Sequence, residues 1–264
     1  MVVRVFVAGG AGVLGRRLVP RLVARGHEVT ATTTSANKLR VLERLGAEAV
    51  VMDGLDAMLV GEVVAQARPD VIVHQMTAIS GKPDIKHFDR WFATTNRLRA
   101  EGTGHLLAAA EAIRHLEDVV VKAGGAVLRY GAFYGPGATD DQVELVRKRQ
   151  YPVIGNGGGY SSWVHLDDAA SATVLAVEQR ARGVFNIVDD EPAPAGEWLP
   201  YLAARAGAKR PMQVPTWLAR LVAGETAVAM MTEGRFFSNA KAKRELGWQL
   251  RYPSWRQGFK EELA

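Results

Sequence analysis

Three glycines at three-residue steps, Gly9, Gly12 and Gly15, follow the apolar run Val3, Val5, Phe6 and Val7. A helical pattern of Leu14, Leu18, Val19, Leu22 and Val23 comes next. The run reads as a strand buried on both faces, and it stops at Gly9. A strand, a Gly-rich turn and a helix N-terminus in that order aim several backbone N–H groups at one spot. The positive end of the helix dipole points there too. A pyrophosphate fits such a place. Gly9 permits the tight turn, Gly12 the close approach of phosphate to backbone, and Gly15 the close packing of helix on strand. Ala11, Val13 and Leu14 stand in the same turn and belong to the same site. A second strand pattern follows at Glu28–Thr32. That context makes the turn a dinucleotide site rather than a ligand-free loop.

The end of the second strand bears on which nicotinamide cofactor fits. An Asp or Glu there would bind the ribose 2′-OH of NAD and repel a 2′-phosphate. This chain has Thr32, Thr33, Thr34 and Ser35, then Lys38 and Arg40. Hydroxyls with nearby cations favour NADP, with NAD as the alternative. A helix N-cap at Thr34 or Ser35, opening a helix Ser35–Leu45, is compatible with that reading. Ala49–Met52 reads as the third strand. Asp53 at its tip can accept a hydrogen bond from the adenine amino group, with Gly54 and Leu55 beside it. Asp56 caps a helix over Ala57–Ala67. Val71–His74 is the fourth strand, so Met76, Thr77 and Ala78 fall at the carboxyl end of the sheet, where ligands sit in this architecture.

The rest of the composition sets limits. With 264 residues, 48% hydrophobic and 23% charged, the chain suits one large soluble domain or two small ones. No window holds 18 apolar residues, so no membrane span is expected, and strand 1 starts without a signal peptide. There are no cysteines, which fits a cytoplasmic protein and excludes thiolate metal sites. No metal site is expected. The net charge is +5, but Lys and Arg are interleaved with Asp and Glu. Without a basic run, nucleic acid is not an expected partner. A small-molecule substrate is.

Further motifs follow in order. They are Ala8-Gly9-Gly10-Ala11-Gly12-Val13-Leu14-Gly15, Asp53, Asn96, Gly102-Thr103, Leu128-Arg129, Tyr134-Gly135-Pro136-Gly137, Val164-His165-Leu166-Asp167-Asp168, Phe185-Asn186-Ile187 and Ala240 to Trp248. In order and spacing the chain resembles an extended or atypical short-chain dehydrogenase/reductase of the NAD-dependent epimerase/dehydratase family. The resemblance implies an α/β fold, a doubly wound parallel (Rossmann) sheet with a small C-terminal substrate-binding lobe. Residues 1–130 would form the dinucleotide-binding domain, which also receives 163–188, and 131–264 mainly the lobe. It implies an NAD(P)-dependent oxidoreductase or epimerase acting on a carbonyl, hydroxyl or sugar-like molecule. It also adds Asn96 to the cofactor site, and it admits a homodimer. The alternative is a cofactor-binding sensor that has lost catalysis.

One piece of the family pattern is missing. The family carries a fifth strand with a Ser or Thr, followed by a Tyr-x-x-x-Lys pair. Here Leu106–Ala110 runs directly into Glu111–Glu117. A parallel strand needs loop, strand and loop, at least about 15 residues. The segment is therefore absent next to Ala110 or was lost, and a chain carrying it would weigh more than 28.6 kDa. Counting back from Glu117 puts Ile113 in the Lys slot and Ala109 in the Tyr slot. An acid–base group must then come from elsewhere. Thr77 and Ser80 follow strand 4, and Tyr134 follows the strand ending at Arg129. Thr77 can hydrogen-bond but does not easily ionise, so Tyr134 is the better proton donor.

Past that point the expectations are structural. Asp167 or Asp168 should cap a helix Ala169–Arg180, with His165 packed behind it. Trp198–Ala206 and Trp217–Val222 read as amphipathic helices. Met230, Met231, Phe236 and Phe237 read as core more than as pocket.

Overall fold

Alternation along the first strand organises the N-terminal half of this computed structural model, which describes residues 2–78, 88–109 and 120–263. Strand β1 (Arg4–Ala8) sends Val5 and Val7 into one apolar cluster and Phe6 and Ala8 into another. The first cluster receives Leu18, Val19 and Leu22 of α1 (Gly15–Ala24), and the second Val60 and Val64 of α3 (Ala57–Ala67). Between these helices lie β2 (Glu28–Thr33), α2 (Leu39–Arg44) and β3 (Glu48–Val51), and β4 (Val71–His74) follows α3. A strand apolar on both faces must be covered on both, and that is the doubly wound arrangement. The sheet order is β3-β2-β1-β4, all parallel, with Phe6 opposite Thr30 and Ile72.

The chain divides into two compact units. One comprises Met1–Ile79, Phe92–Leu128 and Ala170–Phe185; the other comprises Ser80–Trp91, Arg129–Ala169 and Asn186–Ala264. A helix runs through α4 (Phe88–Arg97), a π-helical turn at Leu98–Gly102 and α5 (Thr103–Ala109), and from Phe92 onward it belongs to the first unit. Strand β5 (Ala126–Tyr130) pairs with the later β10 (Gly183–Ile187), not with β4. Among the described residues the sheet is therefore divided between β4 and β5. The fifth strand that the family resemblance implies would belong at that seam. Ser80 and Ile113 lie outside the described residues.

The second unit is built from short strand pairs around aromatic residues. Strand β6 (Ala132–Tyr134) runs parallel to β9 (Trp163–His165). After helix α6 (Asp140–Arg147), β7 (Val153–Ile154) pairs with β12 (Gln213–Val214). Strand β8 (Tyr160–Ser161) lies antiparallel to β11 (Ala193–Pro194). Helix α7 (Leu166–Glu178) follows β9, α8 (Ala195–Arg205) follows β11 and α9 (Thr216–Thr232) follows β12. The last helices are α10 (Ala240–Leu246) and α11 (Trp255–Glu262). Trp163 meets Trp198 edge to face at 4.9 Å and Phe259 at 5.7 Å, and Trp255 completes the buried cluster. Such pairs favour a tilted geometry because a positive ring edge meets a negative face.

Several local expectations are corrected. The helix placed over Ser35–Leu45 is a 3₁₀ turn, Ala36–Lys38, leading into α2. Helix α7 begins at Leu166 and carries Asp167 and Asp168 in its first turn. His165 Nδ1 accepts from Asp167 N–H at 3.1 Å. Asp168 also reaches the C-terminal segment, accepting from the N–H groups of Arg251 and Tyr252 at 2.8 Å each. Met230, Phe236 and Phe237 are exposed rather than core. Helix α9 is broken at Gly224, whose φ of 82° leaves the helical region.

Candidate cofactor site

Parallel strands put all their carboxyl ends on one side, and the predicted cofactor residues collect there. Gly9 has φ +91°, and a Cβ on it would lie 2.9 Å from the Gln75 backbone. Only glycine allows β1 to turn so tightly against the end of β4. The Gly9 N–H donates to the Thr32 hydroxyl at 3.1 Å, which ties the turn to β2. A Cβ on Gly15 would meet Gly10 O at 2.4 Å, and one on Gly10 would meet the Ala31 side chain at 2.8 Å. These two glycines set helix α1 and the turn against the sheet. Gly12 differs: its position is exposed and a Cβ there would touch only Gly9 O, at 3.3 Å.

The turn holds unspent donors. Gly12 N–H bonds Gly9 O, and Arg16 N–H bonds Gly12 O. The N–H groups of Ala11, Val13 and Leu14 reach no acceptor among the described residues. They stand at the N-terminus of a ten-residue helix with no acidic residue in its first turn. Unpaired amides and a positive dipole end favour an anion at this point. Arg16 is tethered to the same turn through Ala11 O at 3.0 Å.

At the end of β2 the hydroxyls divide. Thr32 and Thr33 are buried; the Thr33 hydroxyl accepts from Ser35 N–H at 3.3 Å and faces inward. Thr34 and Lys38 are exposed, and the Ser35 hydroxyl bonds the Asn37 side chain at 2.5 Å. At the tip of β3, Asp53 folds one carboxylate oxygen onto Leu55 N–H at 2.9 Å while the residue remains exposed. Gly54 is pressed against Met76, whose sulfur would lie 2.4 Å from a Cβ there. Asp56 caps α3 through Leu59 N–H at 3.0 Å, as its sequence position implies.

The end of β4 is braced by groups that pattern reading did not single out. His74 accepts from Met76 N–H on Nδ1 at 3.1 Å, so its Nε2–H is the donor to Leu98 O at 3.2 Å. Burial pushes the His74 pKa down and keeps the ring neutral. Ala78 N–H donates to Thr95, a buried hydroxyl on α4, at 3.0 Å. Asn96, the residue expected in the site, is on the exposed side of that helix. Thr95 occupies the inward position because it is one residue earlier on a 3.6-residue repeat. Thr77 is exposed between the buried Met76 and the half-buried Ala78.

Tyr134, expected as the proton donor, is enclosed in the aromatic core of the second unit. It is 0% exposed, stacked edge to face on Trp163, His165 and Phe259, and its hydroxyl donates to Ser254 O at 3.4 Å. Burial, then the charges of Asp189, Asp168 and Glu262, push its pKa far above that of a free phenol. A proton held there is not available to a substrate. The buried neighbour His165 donates from Nε2 to Glu262 at 2.6 Å. Among the described residues no group of three His, Cys, Asp or Glu side chains could hold a metal ion, and no helix is long and apolar enough to cross a membrane.

This geometry defines a Rossmann-type, dinucleotide-binding α/β protein. Residues 5–121 match the family model described as the NAD dependent epimerase/dehydratase family. The chain is 37% identical to a Streptomyces 3-diazoavenalumate denitrifying reductase, across 98% of this chain and 100% of that one. Among solved structures it is similar to Thermus thermophilus UDP-glucose 4-epimerase in complex with NAD, with TM-score 0.73, 21% identity, and 98% and 97% of the two chains covered. It is also similar to human epimerase family protein SDR39U1 with NADPH, with TM-score 0.62, 20% identity, and 98% and 99% covered. The chain belongs to the NAD-dependent epimerase/dehydratase family, and it is an NAD(P)-dependent oxidoreductase or epimerase of the extended short-chain dehydrogenase/reductase type. The Streptomyces alignment runs over 309 positions against a chain of 264 residues. At least 45 of those positions, the difference, have no counterpart here.

Proposed function

We propose that the protein is an NADPH-dependent reductase of a small molecule. The observation that carries the reading is the pairing of unspent amides at Ala11, Val13 and Leu14 with a second-strand end that has no acid and presents Thr34 and Lys38 to solvent. An acid there would repel a 2′-phosphate; a hydroxyl and an ammonium attract one. The bound cofactor supplies a hydride. The amides of the turn hold its pyrophosphate, Asp53 accepts from the adenine amino group, and Thr34, Ser35 and Lys38 hold the 2′-phosphate. Met76, Thr77 and Ala78 border the nicotinamide, and Thr77 offers a hydroxyl that orients a substrate oxygen without ionising. Reduction rather than epimerisation is favoured by the name of the Streptomyces relative. Calorimetric titration tests the reading: NADPH should bind at least tenfold tighter than NADH, about 1.4 kcal/mol. The reverse order would refute it.

A further inference from the structure

Thr77 is exposed, and the residue on each side of it is tied down by its backbone N–H. Met76 N–H donates to His74 Nδ1 at 3.1 Å, and Ala78 N–H donates to the Thr95 hydroxyl at 3.0 Å. Gln75 N–H is held as well, by Ala8 O at 2.8 Å. The Thr77 hydroxyl and N–H bond nothing among the described residues. The ring of His74 sets this arrangement through its tautomer. Nδ1 accepts, so Nε2 carries the proton and donates to Leu98 O at 3.2 Å. Those opposite roles need the neutral ring, because an imidazolium would set a second donor against Met76 N–H. Met76, Thr95 and Leu98 are all buried, so water does not readily replace these bonds. Further along the helix that carries Thr95 and Leu98, His105 Nδ1–H donates to Gly54 O at 2.9 Å. A Cβ on Gly102 would lie 3.2 Å from the same oxygen. Thr95, Leu98, Gly102 and His105 follow one another at helical spacing, so one side of this helix braces the chain beyond both β3 and β4. All of these residues belong to the first unit.

We infer that His74 and Thr95 are positioning residues for the nicotinamide end of the cofactor. By occupying the N–H groups of Met76 and Ala78 they present the Thr77 hydroxyl and N–H to the ligand. Neither side chain needs to touch the cofactor. A segment with its N–H groups unbound would meet the ligand in several registers, and binding would carry the cost of ordering it. The inference rests on the reading that Met76, Thr77 and Ala78 border the nicotinamide, and it holds for either nicotinamide dinucleotide.

Two substitutions separate the ring's two bonds. An Asn amide oxygen falls near the Nδ1 position and accepts from Met76 N–H, whereas a Gln amide nitrogen falls near Nε2 and donates to Leu98 O. Each variant gives up one of two bonds, so a loss of stability alone predicts no difference between them. His74→Gln should weaken NADPH about tenfold, the scale of one buried donor left unpaired, while His74→Asn should stay within about threefold of the parent. Adenosine 2′,5′-bisphosphate, which has no nicotinamide, should bind the parent and both variants alike in calorimetry. Thr95→Val and Thr95→Ser repeat the comparison at Ala78 where the His74 variants melt too low to titrate; the Val change should weaken NADPH and the Ser change should not. An equal loss of NADPH affinity within the pair tested, or a matching loss for the bisphosphate, would overturn the inference. Titration with NADH separates it from the cofactor reading. A protein that prefers NADH refutes the 2′-phosphate contacts, and the split between Gln and Asn should then appear with NADH.

Discussion

Gly12 and Gly15 lie three residues apart in one turn, and adding a side chain should do opposite things at the two positions. At Gly15 a Cβ would sit 2.4 Å from Gly10 O and 2.6 Å from Gly10 C, both backbone atoms that cannot swing aside. Forced overpacking costs about 1–3 kcal/mol, and the helix propensity of alanine returns at most about 1. Gly15→Ala should therefore lose about 1–2 kcal/mol of stability, a fall of roughly 2–8 °C in Tm. At Gly12 the added carbon meets only Gly9 O, at 3.3 Å, and the open side of the turn lies ahead of it. Gly12→Val should lose less stability than Gly15→Ala, its side chain standing where a phosphate would approach Ala11, Val13 and Leu14. Hydrogen bonds to a charged acceptor contribute about 1.5–3 kcal/mol each. Losing two weakens NADPH binding by about 10²–10⁴-fold. Thermal melts and NADPH calorimetry on both variants measure the pair. A Gly12→Val protein that melts normally and keeps its affinity would refute the placement of the pyrophosphate.

Three other outcomes follow from the geometry. Lys38→Glu should weaken NADPH at least about tenfold while leaving NADH nearly unchanged, as titration of both cofactors will show. Tyr134→Phe should leave turnover intact and shift stability by about 1 kcal/mol, the scale of one hydrogen bond, since among the described residues this hydroxyl bonds only Ser254 O in the core; a hundredfold loss of turnover would restore it as the proton donor. Asp189 is buried beside Asp190 and Glu191, with one carboxylate oxygen unpartnered, and burial pushes its pKa up to about 8. Its folded pKa exceeds the unfolded value of about 3.9, so its stabilising contribution is full below pH 4 and lost as pH rises to about 8, by at most about 6 kcal/mol. Asp189→Asn should flatten that decline in melts taken at pH 5, 7 and 9; a variant as steep as the parent would refute the assignment.

Legibility in the sequence followed the range of the interaction. The Gly-rich turn, the four strands and the Asp56 cap are local patterns, and each lies where spacing and turn chemistry put it. The supports of the site are not local. Thr32 holds Gly9 from 23 residues away, Thr95 holds Ala78 from 17, and His74 reaches Leu98 across 24. A threonine in a strand or helix carries no mark of such a partner. On the same helix Thr95 takes the buried position and Asn96 the exposed one beside it. Tyr134 shows the same limit from the other side. Its loop position suggested an exposed phenol, and Gly258 lets helix α11 close over the ring, since a Cβ there would come within 2.1 Å of it. Phe236 and Phe237 reversed the usual inference, because hydrophobic residues are more often buried than displayed.

The divided sheet connects the missing sequence segment to a measurable property. Among the described residues β4 pairs only with β1, and β5 only with β10. In a parallel strand alternate N–H groups point to opposite neighbours. Half the amides of Val71–His74 therefore bond β1, and the other half point into the seam. Bonded amides in a sheet interior exchange with solvent only through opening of the unit, whereas edge amides exchange by local fluctuation. Native-state hydrogen exchange should accordingly split β4 into alternating slow and fast positions, while β1, flanked by β2 and β4, is slow throughout. The alignment with the Streptomyces reductase runs over 309 positions, and this chain has 264 residues. If every β4 amide proves as slow as those of β1, the seam is filled by another part of the chain, and the argument that the fifth strand is lost fails. If the alternation appears, the cofactor half of the site stands on a complete β3-β2-β1-β4 sheet while the wall that carries the family's Tyr-x-x-x-Lys is absent. Proton transfer must then rely on a group outside that motif.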